Sequence, residues 1–325
     1  GAGLAGSSAS IALRNKGIDT VLVDKGTIAR SGCSTFAAGV ITVAFPEDDL
    51  EQWIKETVIH GQYMNDQDWV RILYVEGYDR IMELEKWGVE FERDDEGKIE
   101  RVLGRGQLEN KALRNIMFHG SQFMNTMRKV VLHKDARVIN RVTVTDLLEK
   151  GGRVSGAIGF NPQTGRWYVF KAKAVILAAG SNCFKTLTLG HKNITGDAHG
   201  MAFRVGAEHT CFEFGTQQSS SRNFDLTGLN MFVGLGAKFV NLKGEPFMAQ
   251  YFPEYKDQEI IPNVAGAMAM EVKKGNGPLF LDMTHFDDEK VARMNVVVPR
   301  GMHAIRAAGI DIQKDRIEWV ARGGA

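Results

Sequence analysis

A Gly1-Ala2-Gly3-Leu4-Ala5-Gly6 opening, a helix and a strand directly behind it, and a switch to strand-like alternation near residue 137 predict an α/β fold. The architecture expected is a Rossmann-like domain with an antiparallel β-meander, followed by part of an α+β domain. Turns of the form G-x-G-x-x-G join the first strand to the first helix of a dinucleotide-binding unit. No strand stands in front of this one, so the sequence reads as a piece that begins inside the motif.

The elements follow in order. Ser7 to Asn15 begins a helix whose small residues permit close packing on a sheet, and Lys16-Gly17 ends it with a left-handed cap. Thr20 to Val23 is a short buried strand, and Asp24 follows at the spacing where an acid accepts hydrogen bonds from an adenosine ribose. Residues 27–45 read as a Gly/Ala/Ser loop. Two helices come next, one capped by Asp48 or Asp49 and running to His60, the other capped by Asn65 or Asp66 and ended by Gly88. Trp69, Ile72, Leu73, Tyr78, Ile81, Met82 and Leu84 mark the apolar positions of the second. A helix over 121–132 directs Phe123, Met124, Met127 and Val131 into the core.

The period then changes. Residues 137–148, 154–160 and 166–170 form a three-stranded meander, with turns at 149–152 and 161–165. Lys173 to Leu177 is a buried strand that runs into Ala178-Ala179-Gly180, where bare backbone admits a ligand. Thr195-Gly196-Asp197 starts a helix that lasts to about Gly206, with Asp197 as its N-cap. From about Phe214 the texture turns to loops, short strands and one helix over 263–273, so the domains are 1–213 and 214–325.

Composition narrows the function classes. The 325 residues suit roughly two domains of about 150 residues each. Hydrophobic residues make up 44%, enough for a sizeable core. A net charge of +1 and no basic-aromatic patch argue against nucleic acid as a partner. No apolar run is long enough to span a bilayer, so no direct membrane insertion is expected. Cys33, Cys183 and Cys211 lie far apart, form no C-x-x-C and match no zinc spacing, and the eight histidines show no H-x-x-x-H. No metal site is expected. Isolated thiols suit a reducing compartment, which points to the cytoplasm, while a start inside a motif leaves export open.

The order of these pieces resembles the fumarate reductase/succinate dehydrogenase flavoprotein family. The pieces are the glycine turn, the acid after the second strand, Ala29-Arg30-Ser31-Gly32, the meander, Val175-Ile176-Leu177-Ala178-Ala179-Gly180, and the stretch Thr195 to Ala207. That last stretch fits T-G-D-x-x-G-M-A-x-R-x-G-A and is the most specific. Phe239 to Met248 is similar to the family's F-x-N-x-x-G-E-R-F-M, and Lys274 to His285 to its G-x-G-P-V-Y-L-D-x-T-H. The resemblance covers nearly the whole chain. It implies an FAD-binding domain and part of a mobile capping domain that closes over the flavin and excludes water.

The resemblance also implies which residues meet FAD. Gly1, Ala2, Gly3, Leu4, Ala5 and Gly6 cradle the pyrophosphate, with a helix N-terminus offering amides and a positive dipole end to it. Asp24 holds the ribose, flanked by Lys25 and Gly26. Arg30, Ser31, Gly32, Cys33, Ser34, Ala38 and Gly39 line the flavin. Val142 touches the adenine through its backbone. Ala178, Ala179, Gly180, Thr195, Gly196 and Asp197 face the ribityl and pyrophosphate side. The family's succinate dehydrogenases bond FAD to a histidine in the A-R-S-H segment; this chain has Gly32 there, so the flavin is expected to be non-covalent.

The family's dicarboxylate residues are absent. After E-F its Q-F-H-P-T-G appears as Gly215-Thr216-Gln217-Gln218-Ser219-Ser220, its R-G-E-G-G as Val233-Gly234-Leu235-Gly236-Ala237, and Ile261 or a neighbour in Glu259-Ile260-Ile261-Pro262-Asn263 stands where its proton-delivering arginine belongs. A dicarboxylate needs cationic clamps. The substrate expected is therefore a small molecule other than succinate or fumarate, met by Gln217, Gln218 and Arg222, whose amides and guanidinium suit an oxyanion or a polar neutral group. His285, Arg300 and His303 read as structural. Three functions remain: an FAD-dependent oxidoreductase working at flavin N5, with an activated double bond as one substrate class; a protein like the alpha chain of adenylylsulfate reductase, working beside a ferredoxin-like iron–sulfur protein; and a non-catalytic electron-transfer flavoprotein. A partner of the iron–sulfur kind would place the chain in the cytoplasm or at the inner face of a membrane.

Overall fold

The computed structural model describes residues 1–104, 112–182, 194–212, 216–224, 226 and 229–324. Helix α1 (Leu4–Asn15) starts inside the glycine turn, earlier than its small residues alone indicate, and Gly17 at φ +71° ends it as expected. Strand β1 (Val21–Val23) follows; Leu22 is buried but Val21 is 40% exposed, so the strand is buried on one side only.

The expected loop at 27–45 is replaced by a helical turn, α2 (Cys33–Phe36), and strand β2 (Ala38–Thr42). Val40-Ile41-Thr42 has the β-branched character that suits a pleated surface, and the Gly/Ala content in front of it masks that signal. Helix α3 (Leu50–His60) takes Asp49 as its N-cap and α4 (Gln67–Lys86) takes Asp66, each carboxylate accepting two first-turn amides. The buried residues of α4 are Val70, Tyr74 and Ile81, while Trp69, Ile72 and Leu73 are more than half exposed. In the first half of α4 the apolar face is thus one position round from the sequence assignment, because Tyr74 packs edge-on against Trp53 of α3, whereas Ile81 is buried as assigned. Of the other expected positions, Met82 and Leu84 pack against the main core and Tyr78 against Phe45.

Strands β3 (Val102–Leu103) and β4 (Arg114–His119) complete an antiparallel sheet in the order β2-β4-β3. Helix α5 (Gly120–His133) follows with no break, and Phe123, Met124, Met127 and Val131 are on its buried face, as the sequence predicts. With Ile11, Leu22 and Ile116 they form the core of the N-terminal half.

The first meander strand divides. β5 (Arg137–Ile139) leaves to pair in parallel with β1, and the meander proper is β6 (Thr143–Lys150), β7 (Arg153–Phe160) and β8 (Trp167–Lys171). Arg141 at φ +60° makes the turn between them, a backbone state with no single-letter signature. Lys173 to Leu177 is no strand: it is largely exposed, with Ile176 at 58%, and joins no ladder among the described residues. Helix α6 (Asp197–Arg204) has Gly196 rather than Asp197 at its N-cap, since φ is +73° there and a side chain would be strained; Asp197 is the first-turn acid.

The C-terminal part holds β9 (Thr216–Ser221), α7 (Leu229–Gly234), β10 (Lys238–Val240), α8 (Met248–Tyr251), α9 (Ile261–Lys273), β11 (Phe280–Asp282), α10 (Asp288–Val297), α11 (Pro299–Ala307) and β12 (Ile317–Gly324). The single helix expected at 263–273 is α9; α10 and α11 join it, one capped by Asp287 and the other opened by a proline. The sheet order is β10-β11-β12-β9. Phe232, Phe239, Met268, Leu281, Met294, Met302 and Trp319 build its core, whose buried members among the described residues lie between Leu226 and Trp319. Among the described residues no helix is long and apolar enough to cross a membrane.

Candidate functional site

The glycine turn is built so that nothing but backbone fits. A Cβ on Gly6 would strike the carbonyl oxygen of Gly1, and one on Gly1 would strike the carbonyl of Ala178. A Cβ on Gly3 would lie 3.3 Å from Ser34 Oγ. Helix α1 has no cap from Gly3 and no acid in its first turn, so the positive end of its dipole favours an anion there. Ser34 Oγ already accepts from the Leu4 amide at 3.2 Å, which brings the α2 segment over the turn. Cys33 is half-buried and in no disulfide; Cys183 lies outside the described residues.

Asp24 ties these parts together. Its Oδ2 accepts from the Ala2 amide at 2.6 Å and its Oδ1 from the Gly26 amide at 2.7 Å. Ser31 Oγ reaches the same oxygen at 3.5 Å. Val142 is buried, and its amide donates to the Asp24 carbonyl at 3.0 Å, so only its carbonyl remains for a base. Arg30 points away, with Nη1 bonded to Asn125 of α5 at 2.9 Å.

A second cluster faces the first. Lys25 Nζ donates to Thr195 Oγ1 at 3.1 Å and to Asp197 Oδ2 at 3.2 Å, and Thr195 Oγ1 donates to the same carboxylate at 2.7 Å. Burial works to raise the Asp197 pKa, but the hydrogen bonds from Thr195 and Lys25 and the lysine charge outweigh it and hold the carboxyl below its ordinary value. Gly196 packs on Asn182, which forms an isolated bridge with Thr195, and Gly180 turns at φ +82° just before it. Thus the glycine turn, Asp24 to Gly26, Ser31 to Ser34, Ala178-Ala179 and Thr195 to Asp197 come together from segments nearly 200 residues apart in sequence.

Ala38 and Gly39 lie in β2, opposite His119 and Phe118 of β4. A Cβ on Gly39 would press the Phe118 ring at 2.6 Å. Gln217 and Gln218 lie in β9 with Gly323 and Arg322 as ladder partners, and their side chains lie outside the described residues, as do residues 213–215. Arg222 Nη1 pairs with Glu318 Oε1 at 2.9 Å. Ile261 opens α9 beside buried Glu259, whose carboxylate accepts from the Ile260 amide and from Asn263. His285 Nε2 lies 2.9 Å from the Gly236 carbonyl and donates to it, a structural bond inside the C-terminal part. Among the described residues no group of three or more His, Cys, Asp or Glu side chains is arranged to hold a metal ion.

Residues 1–321 match the family described as FAD binding domain. The chain belongs to this FAD-binding family. Its turn of bare backbone at the start of α1 leaves room for the pyrophosphate of that cofactor. One subunit of the fumarate reductase (CoM/CoB) of Methanothermobacter marburgensis is 29% identical over 311 residues, covering 90% of this chain and 56% of the relative. A quinol fumarate reductase chain from E. coli superposes with a TM-score of 0.85 at 22% identity, covering 99% of this chain and 59% of that one. The adenylylsulfate reductase of Archaeoglobus fulgidus superposes at 0.77 and 21% identity, covering 97% and 55%. The chain spans little more than half the length of these relatives.

Two features of the FAD-binding chain escape a sequence reading. His119 Nε2 lies 3.0 Å from Glu92 Oε1, a pair 27 residues apart with no spacing motif. Arg300 of α11 lies 5.9 Å over the Phe36 ring of α2, a contact between the two ends of the chain.

Proposed function

We propose that this chain is the flavoprotein part of an oxidoreductase that moves an electron pair between flavin N5 and a small polar substrate other than succinate or fumarate. FAD, when bound, supplies the redox step; the chain supplies binding, orientation and exclusion of water. One observation carries the substrate reading. Where the family resemblance requires a proton-delivering arginine, the stretch Glu259-Ile260-Ile261-Pro262-Asn263 that opens α9 has none, and the carboxylate of Glu259 is buried, accepting from the Ile260 amide. The nearest cation on the expected substrate strand, Arg222, is matched by Glu318. A doubly charged acid needs unmatched cationic donors to replace its hydration.

On this reading the cofactor residues are those of the two clusters above, and the domains divide at 213/214. The clustering of the described buried residues 226–319 into their own core supports that division. Gly32 supports a non-covalent flavin. The M. marburgensis relative is one component of a larger enzyme, which supports an electron-transfer partner, with the iron–sulfur type implied by the family resemblance. With such a partner the chain works in the cytoplasm or at the inner face of a membrane.

The test is anaerobic reoxidation of the dithionite-reduced, FAD-loaded protein, followed by the return of flavin absorbance. Ferricyanide is expected to reoxidise it within the mixing time, and fumarate to leave it reduced over minutes. Rapid reoxidation by fumarate would overturn the substrate reading. Slow reoxidation by both would overturn the electron-transfer function itself.

A further inference from the structure

We propose that His119, held by Glu92, is an acid–base residue of the flavin site. This rests on the FAD-binding reading and adds a residue that neither the glycine turn nor the Gln217–Arg222 segment contains.

Four observations support this position. His119 is the last residue of β4, and its ladder partner is Ala38 of β2, the segment assigned to the flavin. Facing residues of an antiparallel pair have Cα atoms about 5 Å apart and share one face of the sheet. The next residue, Gly120, donates its amide to the Ala37 carbonyl at 2.8 Å, and a Cβ there would strike the carbonyls of Ser34 and Ala37. The strand-to-helix junction that carries His119 is thus pressed onto the 34–38 segment with no side chain between them.

The ring is also oriented. Its Nε2 meets Glu92 Oε1 at 3.0 Å, and both groups are partly exposed, at 45% and 34%. Glu92 is fixed on both sides, its amide donating to the Met117 carbonyl at 3.1 Å and its carbonyl accepting from the Glu100 amide at 2.8 Å. A histidine within hydrogen-bond reach of a carboxylate that orients it is the recurring form of a general acid–base group. The stretch Glu259-Ile260-Ile261-Pro262-Asn263, where the family resemblance expects an arginine as proton donor, has none, which leaves that proton to another group.

FAD, when bound and reduced, would supply a hydride to an electron-poor carbon of the substrate. The electron pair displaced from the substrate's double bond takes a proton from the imidazolium of His119. The substrate gains one hydride, which carries the two electrons, and one proton; the flavin is oxidised; and neutral His119 regains its proton from solvent. The reverse direction removes the same proton to the neutral imidazole.

Other charged groups around this junction are Glu90, whose amide bonds Gln122 of α5; Arg93 and Glu100 on the hairpin that holds Glu92; Arg30, bonded to Asn125 of α5; and Arg300 over Phe36. Among these residue types only imidazole ordinarily changes charge between pH 6 and 8, so the guanidiniums and carboxylates act as fixed charges there.

The experiment measures the two-electron midpoint potential of the bound flavin from pH 6 to 8, by equilibration with redox dyes, in the whole FAD-loaded protein. Reduction of a flavin beside His119 draws an additional proton onto the ring, so the native protein is expected to bind more than one proton per electron pair within this range. Each such proton changes the equilibrium constant tenfold per pH unit, about 30 mV for a two-electron couple. In His119→Gln the additional proton disappears, and Glu92→Gln, which frees the ring from its partner, also changes the potential–pH line. Identical potential–pH lines in the native protein and an FAD-loaded His119→Gln variant would overturn the proposal. A native protein without flavin absorbance would instead overturn the FAD reading on which it rests. If His119→Gln folds without binding FAD, Glu92→Gln carries the test, since it keeps the imidazole, and an unchanged line there counts against the pair.

Discussion

Gly6→Ala is expected to cut FAD affinity by at least about 100-fold, some 3 kcal/mol of binding free energy, with little change in folded structure. The new methyl group would meet the carbonyl oxygen of Gly1, a backbone atom that yields only if the whole turn moves. Moving the turn separates the amides of α1 from Ala178 and breaks the contact of Ala2 with Asp24, which together define the cradle. The loss falls on the site rather than on the core, because Gly6 packs beside backbone and the apolar cluster behind it is formed by Ile11, Leu22 and α5. The ratio of flavin to protein absorbance after gel filtration reads the affinity, and far-ultraviolet circular dichroism reads the fold. Full flavin occupancy in the variant would show that the anion lies elsewhere.

Trp319→Ala is expected to cost about 3–5 kcal/mol, the range for emptying a large aromatic from a core. Trp319 is 1% exposed and lies in β12, where its ladder partner is Ser221 of β9. It joins the sheet to the cluster of Phe239, Met268 and Leu281, so the cavity opens where α9 packs against both strands. For a unit of this size each kcal/mol lowers Tm by about 4–8 °C, so a fall of more than about 10 °C is expected in the C-terminal transition. Because the described buried residues of that core lie between Leu226 and Trp319, the N-terminal half with its flavin is expected to melt at its own temperature. A calorimetric scan followed by flavin fluorescence separates the two. A single transition shifted as a whole would argue against a domain division at 213/214.

These expectations rest on parts of the molecule that sequence exposes to different degrees. The glycine turn, the helix after it, Asp24, the caps at Asp49 and Asp66 and the buried face of α5 are legible because each depends on residues within one or two turns of chain. The face of α4 is displaced by one position in its first half. Its pattern there offers Trp69, Ile72 and Leu73 as well as Val70 and Tyr74, and only the location of Trp53 on another helix decides between them. The split of the first meander strand is hidden for a similar reason. Residues 137–139 and 143–150 are equally strand-like, and what separates them is a positive φ at Arg141 and a parallel partner more than a hundred residues away. Lys173 to Leu177 has the composition of a buried strand, yet no described strand reaches it.

The site divides in the same way. The anion cradle proposed for it is a local motif, legible in the spacing of Gly1, Gly3 and Gly6. The Lys25–Thr195–Asp197 cluster joins two stretches 170 residues apart; each is assigned to the cofactor by resemblance, but nothing in their spacing shows that they meet. The His119–Glu92 pair has no signal at all, since a lone histidine before a glycine and a glutamate in a charged run are both common surface patterns. Conversely, Arg222 reads as an anion ligand only while its cross-strand partner Glu318 is out of view.

The most direct test of the central claim is a visible spectrum of the purified protein, followed by acid precipitation and assay of the supernatant. A yellow protein that releases FAD into the supernatant is the predicted result, with Gly32 at the position where a covalent link would form. A colourless protein after expression with ample flavin, or flavin that stays in the pellet, would contradict it.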